Sequence, residues 1–231
     1  MRRAQRWMLG GLAGGLTAFA LITVDVLLRG PLRHADDLVN DAVFNAQQAG
    51  LPMHLVGVLL TQIGASYTVF LVLAATSAWM WTKGQHQLAY WNVGIGIATS
   101  LVVYGLKELF RRDRPPLLDA LTSYSFPSGH TLGATASLGA IIILATEVHV
   151  RLHHPRRDKV LHIWFNALSL WATLALLTGI GRVFVQAHWM SDVMASWSLG
   201  LALVSGILFA LSREQPAGER GPKVPETPVK T

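Results

Sequence analysis

Six long apolar stretches run along the chain, and short polar segments separate them. A helix needs about 20 predominantly apolar residues to cross the hydrocarbon core of a bilayer. The pattern therefore predicts an all-α, polytopic membrane protein with six transmembrane helices. The predicted spans are 8–28, 65–82, 88–109, 130–149, 161–181 and 190–211.

In the polar segment between the first two spans, residues 31–50, apolar and polar residues alternate with the period of a helix. Apolar residues recur on one side of that helix: Leu32, Leu38, Val39, Ala42, Val43 and Ala46. Acidic and amide residues lie on the opposite side: Asp36, Asp37, Asn40 and Asp41. The pattern predicts an amphipathic helix lying in the membrane interface, and a helix packed within an ordinary loop is the alternative.

The ends of the chain and one internal break complete the predicted organisation. Residues 1–7 are basic, and the apolar run after them is longer than the hydrophobic part of a signal peptide, so we expect it to remain as the first span. The run 51–82 exceeds one span, and Thr61, Gln62 and Gly64 mark a break within it. Residues 8–211 form the predicted six-span domain. The polar, proline- and glycine-rich residues 212–231 are expected to be a disordered cytoplasmic tail.

Composition and charge narrow the functional classes. Of the 231 residues, 52% are hydrophobic and 14% are charged. The absence of cysteine excludes disulfides, thiolate catalysis and cysteine-ligated metals. A cytoplasmic N-terminus places most of the 19 lysines and arginines on the inner side, as the positive-inside rule requires. The basic charge of the chain is thus explained by membrane topology, and we expect no nucleic-acid partner.

Three short motifs stand out among the polar segments. They are Lys107-x6-Arg114-Pro, Pro127-Ser-Gly-His130 and Arg182-x5-His188-x3-Asp192. Six spans put loops 110–129 and 182–189 on the same, outer side, so folding should bring the motifs together. A phosphoryl group in transfer spreads negative charge over three oxygens. The two arginines and the lysine of these motifs can bind that charge.

The second motif adds further groups that suit a phosphate. Pro127 is typical of a helix start. Ser128 and Gly129 can present a hydroxyl and backbone amides to a phosphate at the N-terminus of the fourth span, where the helix dipole also favours an anion. His130 is then a candidate general acid for the departing oxygen.

The third motif supplies a candidate nucleophile, His188. Asp192 follows four residues later, so its carboxylate is expected on the same helix face as the imidazole. A carboxylate bound to one ring nitrogen fixes the tautomer and leaves the other nitrogen free to attack phosphorus.

In order and spacing, the three motifs resemble the signature of the type 2 phosphatidic acid phosphatase superfamily. The resemblance implies a metal-independent, cofactor-free lipid phosphatase in which His188 forms a phosphohistidine, His130 protonates the leaving group and water releases the phosphate. It assigns phosphate binding to Lys107, Arg114, Ser128, Gly129 and Arg182. The family often has serine where this chain has Gly181, which predicts the loss of one hydroxyl contact and a modest effect on phosphate binding.

The resemblance also implies a substrate class and a location. Undecaprenyl diphosphate, phosphatidylglycerophosphate and phosphatidic acid are the implied lipids, in a bacterial inner membrane with the site facing the periplasm or exterior. An outward-facing site favours the polyprenyl diphosphate. Two other classes stay open: a catalytically silent lipid-binding or transport protein, and a soluble vanadate-dependent haloperoxidase with the same anion pocket. The six apolar spans argue against the second.

Other polar residues near the motifs have no fixed role in this scheme. Arg111, Arg112 and Asp113 are expected to touch a second phosphate or neighbouring lipids. Asp25, near the outer end of the first span, is expected to reach the membrane interface.

Overall fold

The computed structural model describes residues 3–116 and 123–214, and all the regular structure in these ranges is helical. A 3-10 turn over Gln62–Gly64 joins the third helix to the fourth, and a π-helical segment over Gly133–Leu138 joins the sixth to the seventh. The α-helices are α1 (Arg3–Leu28), α2 (Pro31–Gln48), α3 (Met53–Thr61), α4 (Ser66–Thr82), α5 (His86–Phe110), α6 (Gly129–Leu132), α7 (Gly139–His153), α8 (Arg157–Phe184) and α9 (Met190–Glu214).

Within the described ranges, six helical segments are long and apolar enough to cross a membrane. They are Ala4–Leu28, Met53–Thr82, His86–Phe110, Gly129–His153, Arg157–Phe184 and Met190–Arg213. The predicted all-α, six-span fold is confirmed. The second span begins at Met53 rather than at 65, because α3 and α4 form one apolar segment that bends at the predicted break. The predicted tail starts inside α9, and its residues 215–231 lie outside the described part of the chain.

The span Gly129–His153 is the central helix of the bundle, and most of its residues are buried. Leu132, Ile143, Leu144 and Val148 are fully buried within it. The surrounding helices instead expose large apolar side chains such as Phe165. An apolar outer surface around a close-packed interior is what a lipid environment requires.

Glycines allow close contact between α3 and α8. A Cβ atom added at Gly181 of α8 would lie 2.8 Å from the Cβ of Leu60 and 3.0 Å from the carbonyl oxygen of Gly57 on α3. A larger residue at position 181 would force the two helices apart. Gly181 is therefore explained by helix packing, a cause that the sequence motif does not reveal.

Helix α2 forms where it is predicted, but its orientation corrects the sequence-based assignment of its faces. Asp36 is only 1% exposed, whereas Leu38 is 56% exposed. The prediction that Asp36 lies on the outward polar side is therefore wrong. The physical reason is that a buried carboxylate is tolerated when it is paired, and Asp36 forms an ion pair with Arg112.

The turn between α1 and α2 depends on Asp25. Its Oδ1 accepts a hydrogen bond of 3.0 Å from the backbone amide of Leu32, in the first turn of α2. Position 30 requires glycine, because the Cβ atom of any other residue would lie 2.3 Å from the Asp25 carboxylate. Asp25 thus caps the start of α2, a role that the expectation of an interfacial carboxylate did not include.

Candidate active site

Four helix ends meet at one end of the bundle and carry the predicted site residues. Lys107 lies in the last turn of α5 and Arg182 in the last turn of α8. His130 lies in the first turn of α6 and Asp192 in the first turn of α9. The connecting segments supply Arg114 and His188. The structure thus brings the residues of all three motifs together.

Arg114 contacts His188 directly. Its Nη1 atom lies 3.3 Å from His188 Nε2 and donates a hydrogen bond of 2.6 Å to the carbonyl oxygen of Ala187, while Nε donates one of 2.7 Å to the carbonyl oxygen of Ser123. Because an arginine N–H can only donate, the contact with Nε2 requires the lone pair of that nitrogen. The neutral ring then carries its proton on Nδ1.

The protonated side of the His188 ring faces Asp192. The distance from His188 Nδ1 to Asp192 Oδ2 is 3.5 Å, longer than an ordinary hydrogen bond, and Nδ1 is buried with no hydrogen-bond partner among the described residues. Asp192 Oδ2 also accepts a hydrogen bond of 3.0 Å from the backbone amide of Trp189. The carboxylate is thus held beside the imidazole, but His188 lies in the loop before α9, which begins at Met190, and not on the same helix face as predicted.

Three cations at this site have no carboxylate partner. Across residues 3–116 and 123–214, no salt bridge includes Lys107, Arg114 or Arg182. Lys107 donates a hydrogen bond to the carbonyl oxygen of Tyr124, and the buried Nε of Arg182 has no partner in the described ranges. Positive charge that is largely withdrawn from water and has no carboxylate partner is costly, so the cluster is suited to an anion that would neutralise it.

His188 is 3% exposed, and its surroundings favour the neutral ring. Burial lowers the pKa of His188 well below its usual range, and the positive charges of Arg182, Arg114 and Lys107 add to this effect. Burial also lowers the pKa of Arg114, against the opposing effect of Asp192. His188 is consequently neutral at pH 7, with an unprotonated ring nitrogen available for bonding.

Ser128 caps the central helix. Its buried Oγ accepts hydrogen bonds from the hydroxyl of Thr131 at 2.9 Å and from the backbone amide of Thr131 at 3.5 Å. The helix begins at Gly129, so Pro127 precedes the cap instead of occupying the first turn, which corrects the predicted helix start. The first amides of α6, at Gly129 and His130, have no acceptor within the helix.

Arg112 forms two ion pairs that the sequence did not predict. Its Nη1 donates to Asp192 Oδ1 at 2.5 Å, and its Nη2 donates to Asp36 Oδ2 at 2.6 Å. Both terminal nitrogens of Arg112 thus bind buried carboxylates, a role that the sequence did not indicate when it left a second phosphate or neighbouring lipids open. Arg111 is exposed, and its Nη2 atom lies 3.9 Å from Oε2 of Glu108. No local spacing rule could have linked Arg112 to Asp36, which is 76 positions away.

An apolar cavity of about 490 Å³ adjoins the loop that carries His188. It lies between α2, α8 and α9, and Phe184 and Met190 border it at the two ends of that loop. Its remaining lining residues are Val39, Ile180, Val183, Val193, Met194, Trp197 and Ser198. Within the described ranges, no three histidine or acidic side chains are grouped to bind a metal ion.

The PAP2 superfamily model matches residues 89–215, more than half of the chain and all three motifs. The chain therefore belongs to the PAP2 superfamily and is a multi-pass membrane protein of the lipid phosphatase class. The six membrane-length apolar helices argue against the soluble haloperoxidase alternative.

Individual relatives agree with the family assignment. Phosphatidylglycerophosphatase B of Bacillus subtilis (strain 168) is 28% identical over 202 residues, which cover 81% of this chain and 89% of that protein. An undecaprenyl-diphosphatase of Sulfolobus acidocaldarius is 37% identical over 79 residues, covering 34% of this chain and 30% of its own length. The crystal structure of a transmembrane PAP2-type phosphatidylglycerolphosphate phosphatase from Bacillus subtilis has the same fold, with a TM-score of 0.75, 23% identity and coverage of 89% of this chain and 98% of that one.

Proposed function

We propose that this protein removes phosphate from a membrane lipid phosphate or diphosphate through a phosphohistidine on His188. The observation that carries the proposal is the cluster of Lys107, Arg114 and Arg182, three cations with no carboxylate partner in the described structure, around a buried, neutral histidine. A phosphoryl group would neutralise the cluster and stand next to the His188 ring. Charge of this kind stabilises the transition state of phosphoryl transfer.

The first step forms one bond and breaks another. The lone pair of His188 Nε2 attacks phosphorus, a P–N bond forms, and the bond from phosphorus to the lipid-side oxygen breaks. The bound anionic phosphate offsets the three cations and lets His130 hold a proton. His130 gives this proton to that oxygen, so the lipid leaves as an alcohol or as a monophosphate. Asp192, facing Nδ1–H, stabilises the positive charge that the ring acquires.

The second step restores the enzyme. A water molecule gives a proton to His130 and attacks the phosphohistidine, the P–N bond breaks, and inorganic phosphate forms. His188 returns to its neutral state and His130 is again protonated. The amides at the start of α6 and the three cations are suited to hold the phosphoryl oxygens throughout both steps. We propose that this charge is sufficient and that no metal ion takes part.

The substrate is an amphiphile whose phosphate binds the cations while its chain stays in an apolar environment. The apolar cavity between α2, α8 and α9 supports this proposal, because it begins beside the His188 loop. The relatives' names make phosphatidylglycerophosphate and undecaprenyl diphosphate the leading candidates, with phosphatidic acid as a third.

We further propose that the site faces the periplasm or exterior of a bacterial inner membrane. The ends of the spans far from the site are basic, which is typical of the cytoplasmic side. These distant basic residues are Arg6, Lys83, Arg151, Arg156, Arg157, Lys159 and Arg213.

The decisive experiment measures phosphate release by detergent-purified protein from a panel of lipid mono- and diphosphates in EDTA, for the wild type and His188→Ala. Release that persists in EDTA and is lost in the variant is the expected result, and the ranking of the panel identifies the lipid. Release that survives in His188→Ala would overturn the histidine mechanism. A folded wild type that releases no phosphate from any member would favour the silent lipid-binding alternative.

A further inference from the structure

The inward face of α2 contacts the loop and helix start that carry His188 and Asp192. Gln47 Nε2 donates a hydrogen bond of 2.9 Å to the carbonyl oxygen of Phe184, and Gln186 Nε2 donates bonds of 3.0 and 2.9 Å to the main-chain and side-chain oxygens of Asn40. Asp36 lies four residues before Asn40, on the same face of the helix. Helix α2 therefore braces the segment around His188 with polar contacts.

Asp36 makes the most buried of these contacts. Its Oδ1 accepts a hydrogen bond of 2.8 Å from the backbone amide of Ser191, and its Oδ2 accepts one of 2.6 Å from the Ser191 hydroxyl. Oδ2 also forms the 2.6 Å ion pair with Arg112 Nη2. The Asp36 carboxylate thus joins the start of α9, through Ser191, to the segment after α5, through Arg112.

Arg112 connects Asp36 to Asp192, because its guanidinium forms an ion pair with each carboxylate. The guanidinium is planar, so a bond from Nη2 to Asp36 fixes the direction in which Nη1 points. Nη1 lies 2.5 Å from Asp192 Oδ1, and the ring of Trp189 lies beneath the guanidinium, with its centroid 5.6 Å from Cζ. Because Arg112 binds Oδ1, the other oxygen of Asp192 is left to face His188 Nδ1.

We propose that Asp36 is a positioning residue for the reaction: through Arg112 it holds Asp192 in the orientation that keeps the His188 proton on Nδ1 and the Nε2 lone pair toward phosphate. The inference rests on the proposed function, since it assigns a role in orienting the nucleophile of that mechanism. It also makes a correctly seated α2 a condition for catalysis.

The first test compares Asp36→Asn with Asp41→Asn. Asp41 is an exposed residue of the same helix, so the control removes the same charge without touching the network. The side-chain amide nitrogen of asparagine at position 36 cannot accept a hydrogen bond. It therefore cannot replace Oδ2, which accepts from Arg112 and from the Ser191 hydroxyl. We expect kcat to fall at least about tenfold with KM changed less than about threefold, as a small misorientation of a reacting group does. Asp41→Asn should match the wild type.

A second variant separates positioning from general loss of structure. Arg112→Lys keeps the positive charge but lacks the planar fork, so it cannot fix both carboxylates. If Asp36 acts through Arg112, adding Asp36→Asn to Arg112→Lys should reduce kcat by less than about twofold further, a clear departure from additivity. Full additivity of the two losses would overturn the proposed route. Should Asp36→Asn fail to fold, Ser191→Ala weakens the same network and should lower kcat with KM retained.

A spectroscopic measurement distinguishes failure of this inference from failure of the proposed function. The ¹⁵N NMR chemical shifts of the His188 ring report its tautomer and require no turnover. The His188 signals are identified by their absence from the spectrum of His188→Ala. We expect an Nδ1–H ring in the wild type and Asp41→Asn, and a substantial Nε2–H population in Asp36→Asn. An unchanged tautomer together with an unchanged kcat in folded Asp36→Asn would overturn the inference, even if the phosphatase mechanism holds. An altered tautomer in a protein without phosphatase activity would support the network but not the proposed function.

Discussion

The Nη1 atom of Arg114 lies 3.3 Å from the Nε2 atom of His188, so the side chain that is proposed to bind phosphate also contacts the candidate nucleophile. In this structure Arg114 occupies the lone pair that is proposed to attack phosphorus. Binding of a phosphoryl group would give the guanidinium an anionic partner and release Nε2. A phosphate in place is thus expected to complete the activation of the ring.

Arg114→Lys is predicted to lower kcat/KM about 100-fold. Lysine retains the charge but loses the fork that binds phosphate oxygens and the carbonyl groups of Ala187 and Ser123 together. Steady-state kinetics on the preferred lipid provide the measurement. Arg111→Lys is the control, because Arg111 is exposed and outside the cluster, and it should stay within about twofold of the wild type. Equal effects of the two substitutions would contradict the assignment of Arg114.

The His188 ring is predicted to remain neutral in mild acid. Its pKa is lowered by burial and by the neighbouring cations, so the neutral form persists to a lower pH than in a solvated histidine, which is mostly protonated at about pH 5.5. Ring ¹³C and ¹⁵N shifts of selectively labelled protein, followed from pH 8 downward, measure this directly. The same protein unfolded in denaturant is the reference and should titrate near the ordinary value. A folded-state midpoint at or above that reference would show that the sign of the shift is wrong.

Gly181→Ser is predicted to destabilise the protein by about 1–3 kcal/mol rather than to improve phosphate binding. The added Cβ would lie 2.8 Å from the Cβ of Leu60, so α3 and α8 must separate. Thermal unfolding in detergent is the measurement, and KM for the lipid should not decrease. Gly10→Ser on α1 provides the matched control, because a Cβ there meets nothing within 4 Å. Equal unfolding temperatures for both variants would refute the packing explanation.

Val39→Trp is predicted to discriminate between substrates by chain length. Val39 lines the apolar cavity from α2, so a larger side chain should reduce the space for a lipid chain while leaving the cations untouched. KM should rise for long-chain lipid phosphates and stay nearly constant for short-chain, water-soluble analogues. Leu38→Trp, on the exposed side of the same helix, should change neither. A uniform increase of KM for both substrate lengths would argue against the cavity as the chain site.

The orientation of the protein in the membrane can be tested with single introduced cysteines, because the chain contains no cysteine of its own. Gln48→Cys, exposed at the end of α2 on the site side of the bundle, should react with an impermeant thiol reagent added to intact cells. Arg157→Cys, exposed at the opposite end, should react only after the membrane is opened. The reversed pattern would place the site in the cytoplasm and overturn the proposed topology.

The sequence predicts those parts of the molecule whose causes are local. Span length follows from bilayer thickness, and the proximity of His188 and Asp192 could be predicted because only three residues separate them, although His188 lies in the loop before α9. The burial of Asp36 could not, because it depends on Arg112, which only the tertiary fold brings near. The packing role of Gly181 was equally hidden, because it depends on how closely α3 approaches α8. Motif spacing, in short, predicts which side chains meet but not what holds them there.

The enclosed position of the central helix has a consequence for how such proteins can change their substrate. His130 stands on the central segment, which packs against α4, α5, α8 and α9, so any backbone shift there must displace several neighbours. The wall formed by α2 lies at the periphery and also lines the apolar cavity. Substitutions on its outer residues can therefore reshape lipid selection while the reaction centre keeps its geometry. On α2, the proposed catalytic network and the cavity wall are therefore carried by different residues, Asp36 and Val39.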